Sequence, residues 1–412
     1  MKPEIDPSGL MRWIIELSEI TEVPPPAVTR VLFSKEDHAA RNYVRQIAEA
    51  LDLEWRVDAC GNQFARWTGS NAALPAVATG SHIDAIPNAG AYDGVVGVLG
   101  SFEAIRALKA AGHQPIRSIE IITFTAEEPT RFGIGCLGSR LMSGNLSSEH
   151  AAALKDTGGK SLADWLTEQP WGGLLDSVRL EIGHYAAFIE LHIEQGPLLE
   201  REGLDIGIVE KIAGPATLIA RWTGNGGHAG AVLMPERCDA LCAAAEMIVA
   251  VETAAKKTRS ADTVATVGLC EVHPGAINSI PCDVRMGIDV RDTDIEARTQ
   301  CIENIESAAH EIAERRNVEL KLETLHAEPP AICDDQLVLP ALESAQELGF
   351  TMRKMISRAY HDTLFMAELC PTTMLFIPCR NGWSHRPDEF SSPEQIERGT
   401  AVLANLLARA ST

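Results

Sequence analysis

The sequence predicts an α/β fold with a smaller α+β domain inserted into it, and three observations predict it. Short apolar runs closed by turn residues alternate with helix-length amphipathic stretches early in the chain. From Gly214 the elements read β-α-β-β-α-β, the order of the ferredoxin-like split motif. Glu328-Pro329-Pro330 then stops regular structure, a hinge after which the C-terminal stretch rejoins the first domain. The expected domains are residues 1–211 with 328–412, and residues 212–327.

In chain order, residues 9–21 carry apolar side chains on one helical face. Residues 34–51 form a second amphipathic helix, opened by the capping pattern of Ser34 and Asp37. Leu74–Thr79 and Ile119–Thr125 read as buried strands, with a helix over Val95–Ala111 between them. In open α/β sheets ligands sit at the carboxyl ends of strands, where His82, Asp84, Glu127 and Glu128 fall. In the inserted domain, strands are expected at Ala216–Thr223, Thr263–Val272, Val284–Arg291 and Val318–Leu325. Its helices are expected at Pro235–Lys256 and Asp294–Arg316.

The 412 residues include 36 Lys+Arg against 57 Asp+Glu, a formal net charge of −21. Such an acidic balance excludes nucleic acid and an anionic membrane surface as main partners, since both need clustered cations. A small molecule is the expected partner. Ten Cys are scattered without a CxxC pair, as expected for reduced thiols. No signal peptide is visible, and no apolar run approaches the ~20 residues of a spanning helix. The chain is therefore expected to be soluble and cytoplasmic.

Five stretches hold most of the chemistry-bearing residues: GSHIDAIPNAGAYDG (80–94), TAEEPTRFG (125–133), ELHIEQG (190–196), GNGGHAGAVLMPERCDA (224–240) and WSHRPDEF (383–390). His82, Asp84, Asp93, Glu127, Glu128, His192 and His385 supply three imidazoles and four carboxylates, a donor set suited to Zn, Mn, Co or Ni. Two ions ~3.5–4 Å apart need a bridging carboxylate and further ligands on each side. Seven such side chains suffice. His82 and Asp84, two apart on a strand, share a face, so a carboxylate can orient that imidazole. Glu127 and Glu128 are adjacent at a strand end, so one can ligate while the other moves a proton. Singly, each group also reads as a capping pair, a solvated loop or a satisfied core histidine. Jointly, four unrelated segments would have to place them at strand ends by accident.

In the order and spacing of these motifs, the chain from about residue 76 onward resembles the hydantoinase/carbamoylase branch of the aminoacylase/carboxypeptidase superfamily of binuclear metallohydrolases. The resemblance implies a catalytic domain with a mixed central sheet flanked by helices, and an inserted ferredoxin-like lid and dimerisation domain. It implies two divalent ions, Mn2+ foremost, with Zn2+, Co2+ or Ni2+ compatible. His82, Asp93 and His192 would hold one ion and Glu128 and His385 the other, with Asp93 bridging. Glu127 would be the general base and Asp84 the carboxylate behind His82. His228 would stabilise the oxyanion from the partner subunit of a homodimer. Gln195, Asn278, Arg291 and His361 would contact substrate. A cis peptide is implied at Asp93-Gly94.

Within the branch, EEPTRFGIGCLGSR, EVHPGAINSIP, SRAYHDTLFMAE and FIPCRNGWSHRPDEFSSPE are most similar to the ureidoglycolate-cleaving members. The implied activity is hydrolysis of the ureido C–N bond of (S)-ureidoglycolate to glyoxylate, ammonia and CO2, a step of ureide catabolism. The alternatives are an N-carbamoyl-L-amino acid or an N-acyl amino acid as substrate. Arg380-Asn381-Gly382-Trp383 departs from the family pattern, and Trp383 beside His385 can reshape the pocket for those acids. A non-catalytic binding protein on the same scaffold would be expected to have lost a ligand or Glu127, and all are present.

Overall fold

Ala76–His82, Ile119–Phe124, Tyr185–Ile193 and Thr372–Ile377 are buried along nearly their whole length, as strands covered on both faces must be. In the computed structural model, which describes residues 3–412, they are four adjacent parallel strands. They lie in a nine-stranded sheet, in which seven consecutive strands run 206–212, 372–377, 185–193, 76–82, 119–124, 63–67, 54–57. The flanking partners are antiparallel, so the sheet is mixed. Parallel pairing sends the carboxyl ends of the four central strands to one edge, and that edge carries the chemistry. Gly80 permits the close spacing there: a Cβ at this residue would stand 1.9 Å from the Ile122 carbonyl oxygen.

Helices cover the sheet. Val95–Ala110 is buried over most of its length and packs against Pro393–Ala410 and the strands 76–82 and 185–193. Ser392 caps the latter helix in a reciprocal box with Gln395. The helix Lys35–Ala50 starts at Ser34, whose hydroxyl accepts from the Asp37 amide, as its sequence predicts. The Asp37 carboxylate turns instead to the Phe33 amide and to Arg41. The first helix is Pro7–Ser18, started by Asp6 and shorter at its end than the amphipathic pattern 9–21.

The chain divides into two compact units. One runs to Glu210 and resumes over Ile332–Met355 and His361–Thr412; the other is Lys211–Ala331 with Ile356–Tyr360. In the second unit, strands Gly214–Thr223, Val264–His273, Asp283–Asp292 and Glu319–Ala327 form an antiparallel sheet ordered 264–273, 283–292, 214–223, 319–327. This is the ferredoxin-like arrangement expected from the order of elements. Alternate residues Val284, Met286, Ile288 and Val290 are buried in a core shared with the helices Ala240–Lys256 and Ile295–Arg316. The first of these begins five residues after the expected Pro235, because Asp239 accepts from the Leu241 and Cys242 amides and sets the start. The strand 264–273 is an edge, with most of its residues exposed. Among the described residues no helix is long and apolar enough to cross a membrane.

Candidate metal centre

Each of the four parallel strands delivers a polar group at or just beyond its carboxyl end. His82 closes the strand 76–82, and His192 lies next to last in the strand 185–193. Glu127 and Glu128 follow the strand 119–124, and His385 sits in the loop after 372–377. Asp93 comes from the turn before the helix Val95–Ala110. At that turn Gly94 has φ +66°, and a Cβ there would lie 2.4 Å from His82 Nε2, so only glycine fits. This left-handed glycine makes the bend. The Asp93-Gly94 peptide is not among the cis peptides of the described residues, contrary to what the resemblance implies.

The groups converge on Asp93. Its Oδ1 lies 3.2 Å from His192 Nε2 and 4.0 Å from His82 Nε2, and its Oδ2 lies 3.1 Å from His385 Nε2. His385 Nε2 is also 3.4 Å from Glu128 Oε1. Two clusters of donor atoms result, His82/Asp93/His192 and Asp93/Glu128/His385, with Asp93 in both. Glu127 Oε2 stands 3.7 Å from His82 Nε2. Gln195 donates to both Asp93 oxygens, at 3.0 and 3.1 Å. Ala126, Gln195 and His385 are non-glycine residues with positive φ, backbone strain of the kind that collects at functional sites.

The supporting contacts fix these groups. His82 Nδ1 is 3.0 Å from the Asp84 carbonyl oxygen and 3.6 Å from its carboxylate. The same carboxylate accepts from the amides of Glu127 and Glu128, at 3.3 and 3.0 Å, which ties two strand ends together. His192 Nδ1 lies 2.9 Å from the Ile193 carbonyl oxygen, leaving Nε2 toward Asp93. His361 is buried with its ring 4.5 Å from that of His192. A further donor group, Glu190/His192/His361, is internally satisfied at Glu190, which accepts from Ser81 at 2.7 Å and from Thr363.

Electrostatics mark the same spot. Burial disfavours charge on His82, but Glu127, Asp84 and Asp93 outweigh it and hold the imidazole well above its ordinary value. Burial would raise Asp93, yet His192 and His385 keep it well below the carboxylate range. Burial pushes Glu127 well up, with Glu128 and Asp362 adding to it, and burial with Asp93 brings Glu128 to about 7. The hydrogen bond to Asp93 holds His385 at about 9. So many buried acids at one point call for compensating positive charge. Divalent cations fit this mixed imidazole and carboxylate set.

The expected substrate contacts are distributed between the two units. Gln195 and His361 lie at the metal centre. In the second unit, described by itself, His228 is exposed on a two-residue strand, its Nδ1 accepting from the Gly230 amide at 3.0 Å. The Asn278 carbonyl accepts from Ala229 at 2.9 Å. Arg291 makes a two-point contact with Asp289, at 2.7 and 3.2 Å, and lies over the Tyr360 ring. Three residues beside the centre were not singled out by sequence reasoning. They are Cys136, whose thiol is 3.6 Å from Glu127 Oε1, and Ser384 and Glu389. The last two lie inside the WSHRPDEF stretch, where their proximity to His385 was the available signal.

Residues 78–409 match the peptidase family M20/M25/M40. The chain is 51% identical over 416 residues to a ureidoglycolate hydrolase of Arabidopsis thaliana, covering 99% of this chain and 87% of the relative. It is 37% identical to an N-carbamoyl-L-amino-acid amidohydrolase of Pseudomonas sp. (strain NS671), covering 95% of each. The crystal structure of AtUAH in complex with glyoxylate superposes with a TM-score of 0.92 at 50% identity, covering 100% of this chain and 99% of that one.

Proposed function

The chain belongs to the peptidase family M20/M25/M40, and on that premise we propose that it is a two-metal amidohydrolase cleaving the ureido C–N bond of (S)-ureidoglycolate, giving glyoxylate, ammonia and CO2. One observation carries the chemistry: Asp93 stands in both donor clusters, as a carboxylate shared by two cations must. The substrate assignment is supported by the likeness to the Arabidopsis ureidoglycolate hydrolase over 99% of this chain.

His82, Asp93 and His192 would hold one ion, and Asp93, Glu128 and His385 the other, with Mn2+ the proposed metal. Bound divalent ions supply Lewis acidity, lowering the pKa of water and polarising a carbonyl. Glu127, outside both clusters, takes the proton of the attacking water and returns it to the leaving nitrogen as the C–N bond breaks. Asp84 orients His82 and holds the Glu127 amide. Gln195, Asn278, Arg291 and His361 bind the substrate, Arg291 through the two-point contact with a carboxylate that a guanidinium favours. His228 of a second copy stabilises the oxyanion. Carbamate departure accounts for CO2 and one ammonia, and hydroxyglycine breakdown for glyoxylate and the other.

Residues 1–211 with 328–412 are the proposed metal-binding domain, and residues 212–327 the proposed lid and dimerisation domain. The exposed edge strand Val264–His273 offers unpaired backbone for a second copy. Ten unpaired thiols, seven of them buried, support a reducing, cytoplasmic location.

Ammonia and glyoxylate release from (S)-ureidoglycolate, allantoate and N-carbamoyl-L-amino acids by the Mn2+-loaded protein tests the reading. Preferred turnover of ureidoglycolate is expected. Turnover confined to N-carbamoyl or N-acyl amino acids would leave the chemistry standing and move the specificity to the pocket beside Trp383.

A further inference from the structure

Glu389 lies four residues after His385 in SHRPDEF, is only 4% exposed, and has no cationic partner among its hydrogen bonds. A buried carboxylate stays only where its oxygens are satisfied. Oε1 accepts from the main-chain amides of Tyr92 and Asp93, at 2.9 and 3.0 Å. Oε2 lies 2.9 Å from Ser384 Oγ, which is also 3.1 Å from Asp93 Oδ2 and accepts from Gln195 at 3.2 Å. With both oxygens engaged and neither in a donor cluster, Glu389 is not itself placed as a ligand.

Two further features are built around this contact. A Cβ on Gly90 would stand 2.4 Å from Glu389 Cβ and 2.5 Å from Oε1, so glycine makes room for the acid. The rings of Tyr92 and Phe390, each next to a member of the contact, meet edge to face at 5.7 Å.

We infer that Glu389 is a positioning residue of the metal centre: it ties the Asp93 turn to the His385 loop and, through Ser384, sets the orientation of the Asp93 carboxylate. The inference rests on the two-cation reading above. One acid fixes the backbone of Asp93 through the amides and its carboxylate through the serine, while the same loop carries His385. Ser384 has a single hydroxyl proton for two carboxylates, so a group that donates to Ser384 Oγ frees that proton for Asp93.

The test uses the full-length chain, stripped with chelator and titrated with Mn2+ by calorimetry, with circular dichroism and Tm recorded alongside. Glu389→Ala is expected to fold and to lose about 10–100-fold in Mn2+ affinity. Glu389→Gln keeps an acceptor for both amides and gains a donor for Ser384, so it is expected to retain most of the affinity. Ser384→Ala keeps the amide contacts and should fall between the two. Wild-type affinity in folded Glu389→Ala overturns the inference, as does a Gln variant as weak as Ala, which would assign the effect to charge. If Glu389→Ala does not fold, Ser384→Ala decides: weakened Mn2+ binding supports the inference and wild-type binding overturns it. A wild-type chain that takes up no Mn2+ removes the two-cation reading and this inference together. Two ions in the wild type with unchanged affinity in every variant remove this inference alone.

Discussion

The Glu127 carboxylate sits 3.7 Å from His82 Nε2 and 3.6 Å from the Cys136 thiol, outside both donor clusters. Burial raises its hold on a proton, which suits a group that must accept and return one. Glu127→Gln is expected to lower kcat by about 10²–10⁴-fold with Mn2+ content unchanged, measured by glyoxylate release and metal analysis on one preparation. Full activity in that variant would remove the mechanism. Gly94→Ala tests the turn: at φ +66° a side chain costs about 1–2 kcal/mol, and the new Cβ would press on His82. Urea unfolding should show at least that loss, and metal analysis fewer ions than in the wild type. His82, Asp84, Glu127 and Glu128 were legible because they fall at predicted strand ends, and Asp93, His192 and His385 through the motifs that carry the resemblance. Cys136, Ser384 and Glu389 were not, because a thiol, a hydroxyl and a fifth acid acquire meaning only from contacts between segments far apart in sequence.

At the level of elements, parallel strands make the centre and helix starts hold the second unit in shape. Asp239 caps the helix 240–256 with two amide contacts, so Asp239→Ala should cost about 1 kcal/mol in denaturant unfolding. Glu246 of that helix meets Arg315 and Arg316 of the helix 295–316, at 2.7 Å for Arg316 Nε. The hydrogen bond from Arg315, then that from Arg316, brings its carboxyl down to about 2 from an ordinary 4.5. A depressed acid contributes stability above its unfolded pKa and loses it as pH falls through the folded one. Glu246→Gln should therefore lower Tm at pH 6, with the difference from wild type narrowing from about pH 4.5 toward 2. A gap independent of pH would show that the ion pairs do not link the helices. The ferredoxin-like order was readable from alternation such as Val284, Met286, Ile288 and Val290, since one face is buried. Strands such as Gln63–Trp67 and Tyr185–Ile193 were not singled out, because Gln63 and Arg66 break the short apolar run of the first and Glu190 and His192 that of the second.

For the molecule as a whole, the proposed reaction needs two chains and two ions. If His228 serves the partner's site, Glu127→Gln and His228→Ala proteins are each inactive alone, yet mixing and reassociation should restore roughly a quarter of the wild-type rate. Half the dimers would then be mixed, each with one intact site. No recovery on mixing, or a monomer that turns over at full rate, would place His228 outside the reaction. The α/β class was legible in the sequence from short apolar runs alternating with amphipathic stretches, whereas the extent of the main sheet was not, since strands as far apart in sequence as 185–193 and 372–377 meet only in the folded chain. The most direct measurement titrates the metal-stripped chain with Mn2+ while following glyoxylate formed from (S)-ureidoglycolate. No product is expected from the stripped protein, and the rate should reach its plateau at about two equivalents per chain. Glyoxylate formation without metal, or none at any Mn2+ concentration, would contradict the proposed reaction.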